Sequence, residues 1–422
     1  MTTAIVNIGQ LVTLAGPARP RVGPELRELG ILHDAVMLIE NHRIAAVGRH
    51  ADLVSRIDAN TRIIDAQGRC VSPGFVDAHT HLVFAGNRAD EFEKRIAGAT
   101  YQEIAAAGGG ILRTVRLTRE ATEDELLATA RRNATWMLRS GTTTLEAKSG
   151  YGLDRETELR MLRVIARLNE QQPAHETAGP HVVPTLLAAH TVPPEFADRR
   201  ADYVRWVAEE LIPEVAELKL ARYCDAFCDD HAFTVHEAHT VFTAAIRHGL
   251  GVRVHAEQFR SGTGAVLASC VGAATADHLE AIADEDLHHL RIAGTQPVLL
   301  PGSVFALSRT QYPPARKMID AGLALVLATD FNPGSSPVAS MPFILSLASL
   351  QMRLTPAEAL TAATINPAYS LGLGAEVGSL EPGKRADFLI HEFTDYRELA
   401  YFISAPLRPR VFLGGKMAAI ES

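Results

Sequence analysis

Val71-Ser-Pro-Gly-Phe-Val-Asp-Ala-His-Thr-His-Leu-Val-Phe84 is an apolar run that ends in two histidines, His79 and His81, flanking Thr80. In a strand over residues 74–81, the period of two puts both imidazoles on one face together with Asp77 and turns Thr80 away. Two neutral imidazoles side by side can grip one metal ion, and two ligands from one rigid strand leave room for remote ligands and a water. An isolated His-x-His is as often a structural pair. Here the later sequence supplies company, because three further strand ends carry His255, His278 and Asp330.

Outward from this stretch the sequence alternates strand with helix. Apolar or β-branched runs at 74–81, 142–148, 181–190, 217–228, 250–258, 273–280, 295–302 and 324–332 are eight candidate strands. Between them Leu126, Leu127, Ala130, Ala134, Met137 and Leu138 form one helical stripe, opened by a capping box of Thr122 with Glu125 and stopped at Gly141. Asp154 caps a helix carrying Leu159, Leu162, Val164 and Ile165, and Thr234 with Glu237 opens another over 235–248. The last helices fall in 337–352 and 356–370. Eight strands alternating with helices imply an α/β fold, a (β/α)8 TIM-like barrel with its active face at the C-terminal ends of the strands.

The flanks are different. Residues 3–14, 34–48 and 62–69 read as short β segments with a hairpin turn at Glu40-Asn-His-Arg43, and little helix signal precedes Asp90. Residues 377–390 and 411–417 return to turns and short strands. We therefore expect residues 1–70 and 375–422 to build one small β-sandwich domain from both chain ends, with the barrel spanning 71–374.

A chain of 422 residues suits a barrel with a smaller appendage. Its 47% hydrophobic and 21% charged residues are those of a folded protein, and a formal charge of −8 argues against nucleic acid or an anionic membrane as partner. A small-molecule substrate is the expectation that remains. The N-terminus lacks a basic leader, and no apolar run reaches the roughly 18 residues of a membrane span. Cys70, Cys224, Cys228 and Cys270 are few and scattered, as reduced thiols in a cytoplasmic protein would be. Cys224-x3-Cys228 followed by His231 has a spacing a zinc site can use, but buried cysteines near a strand end fit it better.

In a barrel the strand ends converge on one mouth. His79 and His81 close strand one, His190 strand three, His255 strand five, His278 strand six and Asp330 strand eight. Packing alone would favour apolar residues there. His79, His81 and His255 with Asp330 make a mononuclear metal site with room for water, and such a site makes hydrolysis feasible at neutral pH. Asp330 can take the water's proton and return it to a leaving nitrogen, while His278 is placed to engage a carbonyl oxygen or the water. Lys148, at the end of strand two, is either a bridging ligand for a second ion or an ion-pair partner of Glu146.

Pro73-Gly-Phe-Val-Asp-Ala-His-Thr-His81, His255, His278, Asp330 and the tail Gly378-x-Leu-x-Pro-Gly-x-x-Ala-Asp387 resemble the amidohydrolase superfamily across nearly the whole chain. Five stretches resemble the imidazolonepropionase family within it: His81-Leu-Val-Phe-Ala-Gly-Asn-Arg88, Glu146-Ala-Lys-Ser-Gly-Tyr-Gly-Leu153, Ala188-Ala-His-Thr-Val-Pro-Pro194, His255-Ala-Glu-Gln258 and Thr329-Asp-Phe-Asn-Pro-Gly-Ser-Ser336. The resemblance implies ring opening of 4-imidazolone-5-propanoate to N-formimidoyl-L-glutamate, with zinc or iron on His79, His81, His255 and Asp330. It also implies a homodimer, substrate contacts from Arg88, Tyr151, His190 and Gln258, and contacts from Asn332, Gly334 and Ser335 to the product's glutamate end. A guanidinium fork suits a propionate carboxylate, and a Gly-Ser-Ser turn can offer backbone N–H donors to another. Some members of the family carry glutamate in place of Gln258; an amide cannot act as a base, so Gln258 can only orient substrate. Glu257 faces away if the strand continues. A heterocycle deaminase of the same superfamily, or a non-catalytic scaffold, are the competing readings.

Overall fold

The computed structural model describes residues 2–99, 103, 107–170, 179–229, 232–403 and 405–419. The chain first lays down five strands, β1 Thr3–Val12, β2 Ile31–Glu40, β3 Arg43–Arg49, β4 Arg62–Asp65 and β5 Cys70–Pro73. The barrel strands follow as β6 Phe75–Asp77, β7 Thr142–Lys148, β8 His181–Ala189, β9 Tyr223–Cys228, β10 Gly251–Ala256, β11 Thr275–His278, β12 Gln296–Leu299 and β13 Val326–Leu327. Three short strands close the sequence, β14 Phe388–Ile390, β15 Arg410–Leu413 and β16 Lys416–Met417.

The terminal strands form one sheet in the order β16-β15-β14-β5-β1-β2-β3, with β4 also on β1. Strand β1 takes β4 alongside Thr3–Val6 and β5 alongside Gln10 and Leu11, so the sheet branches there. The branches enclose Ile5, Ile8, Met37, Val71, Phe388 and Phe412, with Phe388 stacked on Phe412 at 4.4 Å. This is the small β-sandwich expected from the chain ends. Residues 71–73, read from sequence as the start of the barrel segment, extend this sheet. Its opening is not all β: short helical turns at Gly23–Arg27, His50–Leu53 and Val54–Arg56 interrupt it.

Strands β6 to β13 pair in sequence order, each parallel to the next. The ring closes between its first and last members. Asp330 N–H donates to His79 O at 3.0 Å and His81 N–H to Phe331 O at 2.9 Å. Below them Thr329 donates its hydroxyl to Asp77 at 2.7 Å, and burial pushes that carboxyl up to about 7. All eight expected strands are present, with different limits. Regular pairing of the first stops at Asp77, because residues 78–81 bond irregularly to both neighbours, Lys148 N–H donating to Thr80 O and Thr80 Oγ1 to Glu146 O. The fourth starts only at Tyr223, since Ile212–Glu217 is helical and Lys219 turns the chain with φ +55°.

The helices pack outside the ring for the reasons their sequences give. Glu123–Arg139 is capped by Thr122 and Glu125 reciprocally, and it buries Leu126, Leu127, Ala130, Ala134, Met137 and Leu138. Each large apolar side chain so buried contributes roughly 1.5–3 kcal/mol. Thr234 and Glu237 cap Val235–Arg247 in the same way, and Asp154 accepts from Thr157 N–H at the head of Arg155–Glu170. The segment read as 356–370 divides into Pro356–Ala362 and Ile365–Ser370, with Pro367 in the first turn of the second piece, where a missing N–H costs little.

Candidate metal centre

His79, His81 and His255 are buried and bring three ring nitrogens within 4.8 Å of one another. Asp330 joins them, its Oδ1 lying 3.5 Å from Nε2 of both His79 and His81. Neighbours hold the far edges of two rings. His79 Nδ1 lies 2.6 Å from Asp277 Oδ2, and His255 Nδ1 lies 3.0 Å from Asp225 Oδ2. His79 Nε2 and both ring nitrogens of His255 are buried without a hydrogen-bond partner. Burial holds all three rings neutral, His79 well below its ordinary value, His81 down to about 3 and His255 to about 4. Neutral imidazoles with free lone pairs, one of them oriented by the Asp277 carboxylate behind it, and joined by one aspartate, are a donor set that fits a single divalent cation.

Behind the histidines lies a charged layer. Lys148 Nζ donates to Glu146 Oε1 and Asp225 Oδ2, each at 2.7 Å, and lies 3.8 Å from Asp277 Oδ2. Arg253 Nε lies 3.4 Å from Glu146 Oε1. The ion-pair reading of Lys148 is the one this geometry favours. Asp225, Asp277 and Arg253 escaped the sequence reading, although a charged residue inside an apolar barrel strand is itself a signal that a buried partner faces it.

His278 completes the mouth, its ring 5.4 Å from that of His255 and 5.7 Å from that of His79. Burial pulls its pKa down, but the carboxylates of Glu280, Asp330 and Asp277 outweigh that and leave it raised. Burial also raises Asp330. Both residues, with neighbouring Glu257 and Leu279, sit at positive φ, +81° for His278 and +53° for Asp330. Strained backbone of this kind persists only where surrounding structure imposes it, and it collects at functional sites.

A cavity of about 670 Å³ opens above the cluster, and Arg88, Tyr151, His190, Gln258, Asn332, Gly334 and Ser335 all line it. Burial pushes the Tyr151 phenol above its ordinary range while Arg88, hydrogen-bonded to it, pulls the other way. Glu257 turns aside, accepting from Ala265 N–H at 3.2 Å. Arg309, which no sequence motif singled out, also lines the wall; it donates to Gln258 O at 3.0 Å and lies over Phe259.

The backbone N–H groups of the Gly-Ser-Ser turn are already engaged, since Gly334 N–H and Ser335 N–H donate to Asn332 Oδ1 at 2.8 and 2.7 Å. Asn332 Nδ2 in turn donates to Asp330 O and Ser335 Oγ. An Asx-type turn satisfies these amides locally and leaves them no donor for a ligand carboxylate. His231, the third member of the cysteine-histidine spacing, lies outside the described residues.

Residues 70–417 match the model of the amidohydrolase family. The chain is 55% identical to the imidazolonepropionase of Solibacter usitatus (strain Ellin6076), covering 98% of each chain. It is 45% identical to that of Geobacillus thermodenitrificans (strain NG80-2), over 98% of this chain and 96% of the relative. Among solved structures an adenosine deaminase from Xanthomonas campestris superposes with a TM-score of 0.71 at 18% identity, over 99% of this chain and 93% of that one. Guanine deaminase of E. coli gives 0.69 at 16% identity over the whole of both chains. At such identities the superpositions establish the fold. The chain belongs to the amidohydrolase family, a class of metal-dependent hydrolases acting on C–N bonds, and within that class to the imidazolonepropionases.

Proposed function

We propose that this chain opens the ring of 4-imidazolone-5-propanoate by hydrolysing its cyclic amide C–N bond, giving N-formimidoyl-L-glutamate in histidine degradation. The observation that carries this reading is the convergence of three neutral imidazoles and Asp330 at the floor of a cavity walled by Arg88 and Tyr151. His79, His81, His255 and Asp330 would hold one ion, zinc or iron, both of which accept a nitrogen-rich donor set. When bound, such an ion supplies a Lewis acid that polarises a carbonyl and brings the pKa of water to about 7.

The chain's own residues do the rest. Arg88 pairs with the propionate carboxylate and sets the ring's depth in the cavity. Tyr151, His190 and Gln258 orient the ring, and the 332–335 turn shapes the wall beside the substrate's chain. Asp330 accepts the proton of the attacking water and delivers it to the departing ring nitrogen. His278 donates a hydrogen bond to the ring carbonyl oxygen as charge builds there. Asp277 keeps His79 in the tautomer whose free nitrogen faces the centre, and Asp225 stands 3.0 Å from His255 Nδ1.

We place the protein in the cytoplasm as a homodimer. Its family membership supports this, and no helix among the described residues is long and apolar enough to cross a membrane. The test is incubation with freshly prepared imidazolone propionate. Formimidoylglutamate should accumulate without ammonia, whereas ammonia from purine or pyrimidine rings and an inert imidazolone would make it a deaminase.

A further inference from the structure

The loop after β7, Ser149-Gly-Tyr-Gly-Leu153, carries Tyr151 into the cavity wall, and a single carboxylate pins it. Glu158, in the first turn of helix Arg155–Glu170, is fully buried. Its Oε1 accepts from the N–H groups of Gly152 and Leu153, both at 2.8 Å, and its Oε2 from Gly150 N–H at 3.1 Å. Both glycines are required by that arrangement. A Cβ on Gly152 would stand 2.9 Å from Glu158 Oε1, and one on Gly150, where φ is +101°, would stand 2.8 Å from Leu187 O and 3.1 Å from His190 Nδ1.

The same loop decides how His190 meets a ligand. Gly150 O lies 3.0 Å from His190 Nδ1. A carbonyl oxygen only accepts, so Nδ1 carries the proton and Nε2 keeps its lone pair. The ring stacks on His81, centroids 5.1 Å apart, and lines the cavity, and no described residue hydrogen-bonds its Nε2. The cavity wall thus presents an acceptor at this point.

We propose that Glu158 is a positioning residue for recognition: by clamping the 150–153 amides it fixes the Gly150 carbonyl, which locks His190 in the Nδ1–H tautomer and reserves Nε2 to accept a ring N–H of the substrate. The inference rests on the proposed function only for its kinetic arm. An imidazolone ring carries an N–H donor of the kind this acceptor selects.

Zinc-loaded protein labelled with 15N in its histidine rings tests it directly, with His190 assigned by its disappearance in His190→Asn. The wild-type resonance should report protonated Nδ1 and bare Nε2 near neutral pH. In Glu158→Gln it should move to a mixture of tautomers, KM should rise roughly five- to tenfold, the size of one lost hydrogen bond, and kcat and metal content should hold within about twofold. A wild-type His190 protonated at Nε2 would overturn the proposal, even if Glu158→Gln failed to fold. So would an unchanged tautomer with unchanged KM in that variant. A locked tautomer in a protein that leaves imidazolone propionate untouched would instead sink the assigned reaction and leave the clamp standing.

Discussion

Arg88 occupies the space that a side chain on Gly334 would need: a Cβ there would fall 1.9 Å from Nη2 and 2.2 Å from Cζ of the guanidinium. The glycine of the 332–335 turn therefore serves the arginine across the cavity. Because the obstructing atoms are the far end of a flexible side chain, Gly334→Ala should fold and keep its metal while Arg88 swings away. Losing a charge-assisted pair of hydrogen bonds costs roughly 1.5–3 kcal/mol, so KM should rise about tenfold or more. Steady-state kinetics with metal analysis checks this, and unchanged KM would remove Arg88 from carboxylate binding.

The centre's donors make different predictions from one another. His255→Ala should lose bound metal and turnover together, because only two of the three nitrogen donors are left. Asp330→Asn keeps three imidazoles, so its rate should fall by orders of magnitude more than its metal content, the carboxylate being needed for proton transfer. Elemental analysis beside kcat separates the two roles; equal losses in Asp330→Asn would leave that residue a ligand only.

Lys148 should be structural in the first instance. Lys148→Met keeps the length and removes the charge, leaving Glu146 and Asp225 buried without their shared cation. Breaking a buried pair in this way destabilises by about 3–5 kcal/mol. Unfolding of the metal-free protein in urea measures it. Metal retention should weaken as well, since Asp225 lies 3.0 Å from His255 Nδ1 and would shift with the loss of its cation. A variant as stable as the parent would mean that these carboxylates are protonated and need no cation.

The fold was legible because its signals are local. The Thr122/Glu125 and Thr234/Glu237 boxes and the apolar stripe from Leu126 to Leu138 are all readable within one or two turns, and each appears where its residues placed it. His79, His81, His255 and Asp330 could be gathered from sequence because a closed ring brings strand ends together whatever their separation. What stayed hidden depends on side-chain direction. Nothing in Gly334-Ser335 tells that Asn332 would consume its amides, and nothing near Glu158 tells that a helix residue reaches back to hold Gly150. The strand limits differ from the apolar runs for local reasons: past Asp77 the pairing becomes irregular, and before Tyr223 a helix end and the turn at Lys219 occupy the run.

Glu358 joins the chain's opening segment to the barrel, and its contribution should depend on pH. Its side chain is inaccessible to solvent and accepts from Arg27 Nε at 3.0 Å, from Arg316 Nη1 at 2.7 Å and from Thr355 N–H at 2.7 Å. Burial opposes ionisation, yet Arg316, the Thr355 amide and Arg27 together hold the carboxyl near 2, against an ordinary value of 4.5. A depressed carboxyl adds its full stability above about pH 4.5 and loses it as the pH falls toward 2. Glu358→Gln should therefore cost roughly 1–3 kcal/mol at pH 7, toward the lower end because both arginines keep contact with water. Urea unfolding of chelator-treated wild type and variant at pH 7 and again near pH 3 should show that gap narrow with acid, since near pH 3 the carboxyl of the unfolded wild-type chain takes up its proton while the folded one, held near 2, largely does not, and the amide does not titrate. Acid acts alike on every other group of the two proteins and cancels in the difference, so a gap of constant size would mean that packing, and not the ion pairs, accounts for the loss.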